Sequence, residues 1–190
     1  ELAQSLFNNI ELVALCDIRR ENVELAATEV EELLGCKPAT FTDLGAMAKA
    51  IPDLGMVDVV TDPSVHHTVV CQALDLGLHV LVEKPLAITV KACHLMMEAA
   101  KRNNRLLSVA ENYRRDPSAR LIRHLIDSGV IGTPYMGMLH SVRPGKDIFI
   151  TPWRHLIDKG GPLIDMGVHF TDLIRYQLGD IKEVYGDARL

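Results

Sequence analysis

Residues 77–85 read Gly-Leu-His-Val-Leu-Val-Glu-Lys-Pro. A glycine closes the preceding segment, a mostly apolar run follows, and a charged pair with a proline stops it. The run reads as a short buried strand over His79–Glu83. Outward from it, about Ser64–Leu76 predicts a helix closed by Gly77, and Met56–Thr61 predicts a strand. On the other side Thr89–Asn103 predicts a helix and Leu106–Ala110 a strand. Nearer the N-terminus, Ile10–Cys16 and Ala39–Phe41 read as strands and Leu44–Ala50 as a helix. Asn22–Leu34 reads as a helix with Val23, Ala26, Ala27, Val30 and Leu34 on one face and Gly35 as its stop. Apolar strands separated by ~12-residue helices predict an α/β fold, a doubly wound parallel sheet covered on both faces.

In such sheets ligands sit beyond the carboxyl ends of the strands. Polar residues stand at four of those ends: Asp17, Thr61, Glu83 with Lys84, and Glu111 with Asn112.

The composition bounds the function. The chain has 190 residues, 48% hydrophobic and 24% charged, with a formal net charge of -5. That excludes a disordered tail or a collagen-like fibre and removes any general electrostatic case for nucleic acid or an anionic membrane. No apolar run approaches the ~18 residues of a membrane span. Cys16, Cys36, Cys71 and Cys93 contain no C-x-x-C pair and are expected to be small buried hydrophobes in a reducing compartment. With no Asn-x-Ser/Thr acceptor, this favours a cytoplasmic protein. The first residue is Glu1 and residues 1–9 read like the back half of an amphipathic helix, so the expectation is a fragment whose targeting is undecided.

The texture changes near Tyr113. Pro117–Ser128 predicts a helix ending at Gly129, and Tyr135–Val142 a strand. A Pro/Gly-bearing loop follows over Arg143–Lys159, then a helix over about Pro162–Leu178 and the start of a strand from Ile181. The boundaries expected are a dinucleotide-binding domain over residues 1–112 and the start of a second α/β domain over residues 113–190.

Three groups carry candidate chemistry. Asp17 ends the first strand, where a carboxylate accepts hydrogen bonds from ribose hydroxyls and disfavours a 2′-phosphate. A turn-capping Asp is an equal reading, and Arg19 and Arg20 leave NAD against NADP open. No G-x-G-x-x-G occurs in the sequence, so weak cofactor binding is expected of these residues alone. Lys84 stands where an ammonium can stabilise a substrate alkoxide, although a lone lysine at a strand end is more often an ordinary exposed one. On the late helix Asp165, His169 and Asp172 fall on one face, which predicts an imidazole between two carboxylates, favoured in its charged form and suited to proton transfer. A helix cap and a metal half-site are the alternatives; with no second ligand cluster, no metal is expected.

Taken together these residues resemble the Gfo/Idh/MocA oxidoreductases. The resemblance rests on Val59–His66, Gly77–Ala87, Glu111–Arg114, Ser128–Gly132, Trp153-Arg154 and Gly160–Asp172, in that order along the whole chain. It implies a Rossmann domain followed by a domain with an open, mostly antiparallel sheet. It also implies hydride transfer between nicotinamide and a hydroxyl-bearing carbon of a sugar, polyol or cyclitol. Lys84, Asp165 and His169 would be catalytic, with Tyr113, Trp153 and Arg154 also on the substrate side. Asp17, Arg19, Thr61, Pro63, His66, Glu83, Lys84, Asn112 and Arg114 would contact NAD, or NADP. A homo-oligomer is implied for the full-length protein. Three departures stand out: Asp62 replaces a usual proline, Pro162 replaces the third glycine of a glycine run, and the first β-turn-α unit of the Rossmann domain, with its glycine-rich phosphate loop, is expected to be missing from these residues. Two other functions fit the same resemblance: a glycosidase that uses NAD transiently, and a non-catalytic dinucleotide-binding regulator.

Overall fold

The computed structural model describes residues 10–142 and 156–187. The expected strand–helix alternation is present. In chain order the elements are β1 (Ala14–Cys16), α1 (Arg20–Leu34), β2 (Ala39–Phe41), α2 (Leu44–Ala50), β3 (Met56–Val59), α3 (His66–Asp75), β4 (His79–Val82), α4 (Val90–Asn103) and β5 (Leu107–Val109). A 3-10 turn (Tyr113–Arg115), α5 (Pro117–Asp127), a second 3-10 turn (Ile157–Lys159) and α6 (Gly161–Leu178) follow.

All strand pairings are parallel. They form two ladders, β1 with β2 and β3–β4–β5, with Val57 opposite Val80 and Val80 opposite Leu107. This gives a Rossmann-like α/β fold. Helices α3 and α4 cover one face of the larger ladder. Val59, Val80 and Val82 point into that layer and meet Val70, Ala73, Leu74, Met96 and Ala99, all nearly inaccessible to solvent. Each fully buried aliphatic side chain there contributes about 1.5–3 kcal/mol.

Burial alternates along β4, with Val80 and Val82 buried and His79 and Leu81 half-buried. On the less covered face Asp58 is exposed, and its carboxyl is nonetheless pushed up, first by partial burial and then by the nearby Glu83 charge.

The strands are also shorter than their apolar runs. Residues 10–13 precede β1 without joining it as a strand, because strand structure lasts only as far as a partner supplies the ladder. The same reason applies further on. Among the described residues no strand follows β5: the segments expected at Tyr135–Val142 and from Ile181 are exposed chain with no ladder partner. The open antiparallel sheet is therefore not among the described elements. The helix tail expected over residues 1–9 lies outside them.

The cysteines are a further correction. Cys16 and Cys36 are exposed and Cys71 and Cys93 half-buried, and all four are free thiols. Cys16 ends a short two-stranded ladder and Cys36 follows the C-cap of α1, so neither position is deep enough to enclose a thiol.

Candidate active site

The carboxyl ends of β3, β4 and β5 point the same way in one parallel ladder, which brings Thr61–Asp62, Glu83–Lys84 and Glu111–Asn112 to one edge of it, while Asp17 follows β1 in the other ladder. The chain turns back sharply after β4. The Lys84–Pro85 peptide is cis, Pro85 is buried, and Glu83 folds over to accept from the Lys84 backbone N–H at 3.0 Å.

Lys84 then reaches across 81 positions of sequence to α6. Its Nζ donates to both the backbone oxygen and Oδ1 of Asp165, each at 2.9 Å. The side chains are 15% and 4% exposed, so this ion pair lies where water screens it little. One helical turn on, His169 is 3% exposed. Its Nδ1 lies 2.6 Å from Glu111 Oε1, and Tyr113 stacks on the ring at 3.9 Å and 11°. A further turn on, Asp172 takes a forked pair of hydrogen bonds from Arg114, at 2.9 and 2.6 Å. That pairing raises the guanidinium's already high affinity for its proton.

The helical spacing thus put three groups on one face correctly, but their partners differ from the expectation. The carboxylate hydrogen-bonded to the imidazole is Glu111. Asp165 and Asp172 are engaged by cations that follow the strands, Asp165 by Lys84 at low exposure and Asp172 by the more exposed Arg114.

The segment before α6 is shaped for the turn it makes. Gly160 has φ of +93°, and a Cβ there would lie 2.8 Å from Ile164 Cβ. Gly160→Ala is expected to destabilise the protein by about 1–3 kcal/mol, from positive φ and the clash together. An unchanged urea midpoint would contradict this. The apolar stripe on α6 is only half covered: Met166, Phe170 and Leu173 are half-buried, whereas Leu163 is 78% and Ile174 39% exposed.

Asp17 is half-buried at the end of β1, and its Oδ1 accepts from the Arg19 backbone N–H at 2.7 Å; Arg19 itself is exposed. Thr61 and Asn112 are exposed, Pro63 is buried, and Glu83 is half-buried. The resemblance has His66 lining the loop under the dinucleotide. This histidine is 0% exposed and sits beneath the site, with Nε2 at 2.9 Å from Thr61 O and Nδ1 at 3.1 and 3.3 Å from Pro85 O and Leu86 O. It braces the two loops that carry Thr61 and Lys84. Trp153, Arg154 and His155 lie outside the described residues.

Asp62, the departure from the resemblance, turns to Ser64, accepting from its backbone N–H at 2.8 Å and its hydroxyl at 2.5 Å. Lys159 Nζ lies 3.7 Å from Asp62 Oδ1 and donates to Ser64 Oγ at 2.7 Å. Burial alone would lift the Asp62 carboxyl, but the Ser64 hydrogen bonds and the Lys159 and His66 charges hold it below its ordinary value. Neither the Glu111–His169 bond nor the Lys159 bridge is written in local sequence, because their partners are 58 and 95 positions apart.

Residues 2–111 match the family described as "Oxidoreductase family, NAD-binding Rossmann fold", and residues 119–190 match "GFO/IDH/MocA C-terminal domain". The chain belongs to this family. Among Gfo/Idh/MocA relatives, it is 31% identical to D-apiose dehydrogenase of Paraburkholderia graminis, over 92% of this chain and 44% of that protein. It is 30% identical to D-glucoside 3-dehydrogenase of Escherichia coli, over 90% of this chain and 48% of that protein. The WlbA dehydrogenase of Bordetella pertussis, solved in complex with NADH and UDP-GlcNAcA, superposes with a TM-score of 0.74 at 25% identity, covering 90% of this chain and 49% of that one. The chain spans about half the length of the curated relatives it matches.

The donor set at the strand ends suits a nicotinamide dinucleotide. Asp17 offers a carboxylate of the kind that takes a ribose diol, and Glu83, Lys84 and Asn112 place polar groups after the carboxyl ends of β4 and β5. No helix among the described residues is long and apolar enough to cross a membrane.

Proposed function

We propose that this chain forms part of an NAD-dependent dehydrogenase acting on a secondary hydroxyl of a sugar, polyol or cyclitol. The observation that carries the reading is the Lys84–Asp165 pair at 2.9 Å, which fixes an ammonium at low exposure one helical turn from His169. NAD, when bound, supplies the nicotinamide that accepts hydride. Asp17 would hold the adenosine ribose, and Glu83, Asn112 and Arg114 would border the nicotinamide side, with NADP use left to Arg19. Thr61 and Pro63 would lie under the dinucleotide on a loop braced by His66.

Lys84 has the charge needed to stabilise a developing alkoxide, and Asp165 orients it. His169, held through Nδ1, has Nε2 free to accept the hydroxyl proton. Tyr113, Trp153 and Arg154 would contribute to the substrate side. Residues 1–112 would then form the cofactor-binding part, and residues 113–190 the beginning of the substrate-binding part. A homo-oligomer in the cytoplasm belongs to the same proposal.

The test is net NADH formation, followed by absorbance, when the full-length product of the gene encoding this chain meets a panel of sugars, polyols and cyclitols. Steady net reduction is the expected result. Glycosidic cleavage without net reduction would replace the dehydrogenase by a glycosidase that uses NAD transiently. Cofactor binding with no turnover of any panel member would replace it by a regulator.

A further inference from the structure

We propose that Glu111 is a positioning residue for His169: it holds a hydrogen on Nδ1, so that Nε2 is the ring nitrogen presented to the reacting hydroxyl. This rests on the dehydrogenase reading only for what Nε2 meets; the placement of the hydrogen follows from geometry.

An ionised carboxylate can only accept hydrogen bonds. Glu111 Oε1 already takes the Tyr113 backbone N–H at 3.0 Å, and it lies 2.6 Å from His169 Nδ1. Two donors converging on one oxygen are satisfied when Nδ1 carries hydrogen, in the neutral ring as in the charged one. Nε2 is then the nitrogen that takes up and releases a proton, and among the described residues it has no hydrogen-bond partner. A histidine whose second nitrogen is fixed by a carboxylate has a defined tautomer and ring orientation. Here the ring plane is fixed a second time, by Tyr113 stacked at 3.9 Å with an interplanar angle of 11°.

Both restraints come from one short segment, Glu111–Tyr113, directly after β5. The backbone that ends the strand therefore sets the imidazole of α6. The other charged groups around the ring belong to pairs of their own: Lys84 with Asp165, and Arg114 with Asp172. Glu111 is the acid left to act on the imidazole through a direct hydrogen bond.

The experiment is nitrogen-15 NMR of histidine-labelled full-length protein without cofactor, above the pH at which His169 is neutral, its signal identified by loss in His169→Asn. The expected wild-type signature is a protonated Nδ1 and an unprotonated Nε2. Glu111→Gln keeps an oxygen acceptor and should keep that tautomer. Glu111→Ala should convert the ring largely to the Nε2–H form, the one that cannot accept the substrate proton. In turnover, Glu111→Ala should lower kcat by ~10²-fold with little change in KM, with Glu111→Gln falling between it and wild type. A wild-type ring protonated on Nε2, or a tautomer unchanged in Glu111→Ala, overturns the proposal. Should the alanine variant fail to fold, the wild-type and glutamine spectra still decide. A protein with the expected tautomers that turns over no sugar or polyol supports the positioning role and overturns the dehydrogenase reading instead.

Discussion

Lys84→Ala is expected to lower kcat by ~10²–10⁴-fold while leaving the cofactor dissociation constant within a few-fold of wild type. The ammonium is 2.9 Å from Asp165 Oδ1 and has little water around it, so it acts in a medium where a charge beside a developing alkoxide has a large effect. In the proposed reading cofactor affinity would draw on several groups along the strand ends, of which Lys84 is one. The substitution also removes the cation from a carboxylate that is 4% exposed, so part of the effect is structural. Lys84→Met, which keeps the aliphatic stem, and thermal melts of both variants separate the two contributions. An unchanged kcat in a folded Lys84→Met variant would remove Lys84 from the chemistry.

The second large effect concerns a residue buried beneath the loops that carry Thr61 and Lys84. His66→Ala should destabilise the protein by about 3 kcal/mol. The ring is wholly buried, and its two nitrogens lie against the carbonyl oxygens of Thr61, Pro85 and Leu86. Alanine removes the ring N–H donor from the carbonyl it serves and opens a cavity where the imidazole was. Urea denaturation should show a lower midpoint with an unchanged slope. Because the ring ties the Thr61 loop to the Lys84 turn, kcat and cofactor affinity should fall together in this variant, in contrast to Lys84→Ala. A stability change below ~0.5 kcal/mol would show that the ring is not a brace.

Much of the fold was legible because its signals are local. Gly35 and Gly77 mark the ends of helices, Val80 and Val82 sit within an apolar run that leads to a stop, and Thr89 caps α4 by accepting from the Ala92 N–H at 3.2 Å. Each of these depends on a residue and its near neighbours. Where the reading failed, the deciding partner was remote or was not an adjoining strand. Residues 135–142 have a strand-like sequence but no ladder among the described residues, and β-structure needs a partner as well as a pattern. Cys16 and Cys36 are apolar enough for a core, yet their positions at the end of a strand and just past a helix leave them exposed.

The candidate site divides in the same way. Helical periodicity alone put Asp165, His169 and Asp172 on one face, because a period of ~3.6 residues fixes direction within a helix. It could not say which charge each would meet. Asp165 meets Lys84, His169 meets Glu111 and Asp172 meets Arg114, across separations of 81, 58 and 58 residues. By itself the sequence determined the alternation of strands and helices, the polar residues at the strand ends and the face that α6 presents. Only the tertiary structure decided the pairings, since these depend on how the β4 and β5 ends meet α6 and on which groups lose water there, and no local pattern encodes either.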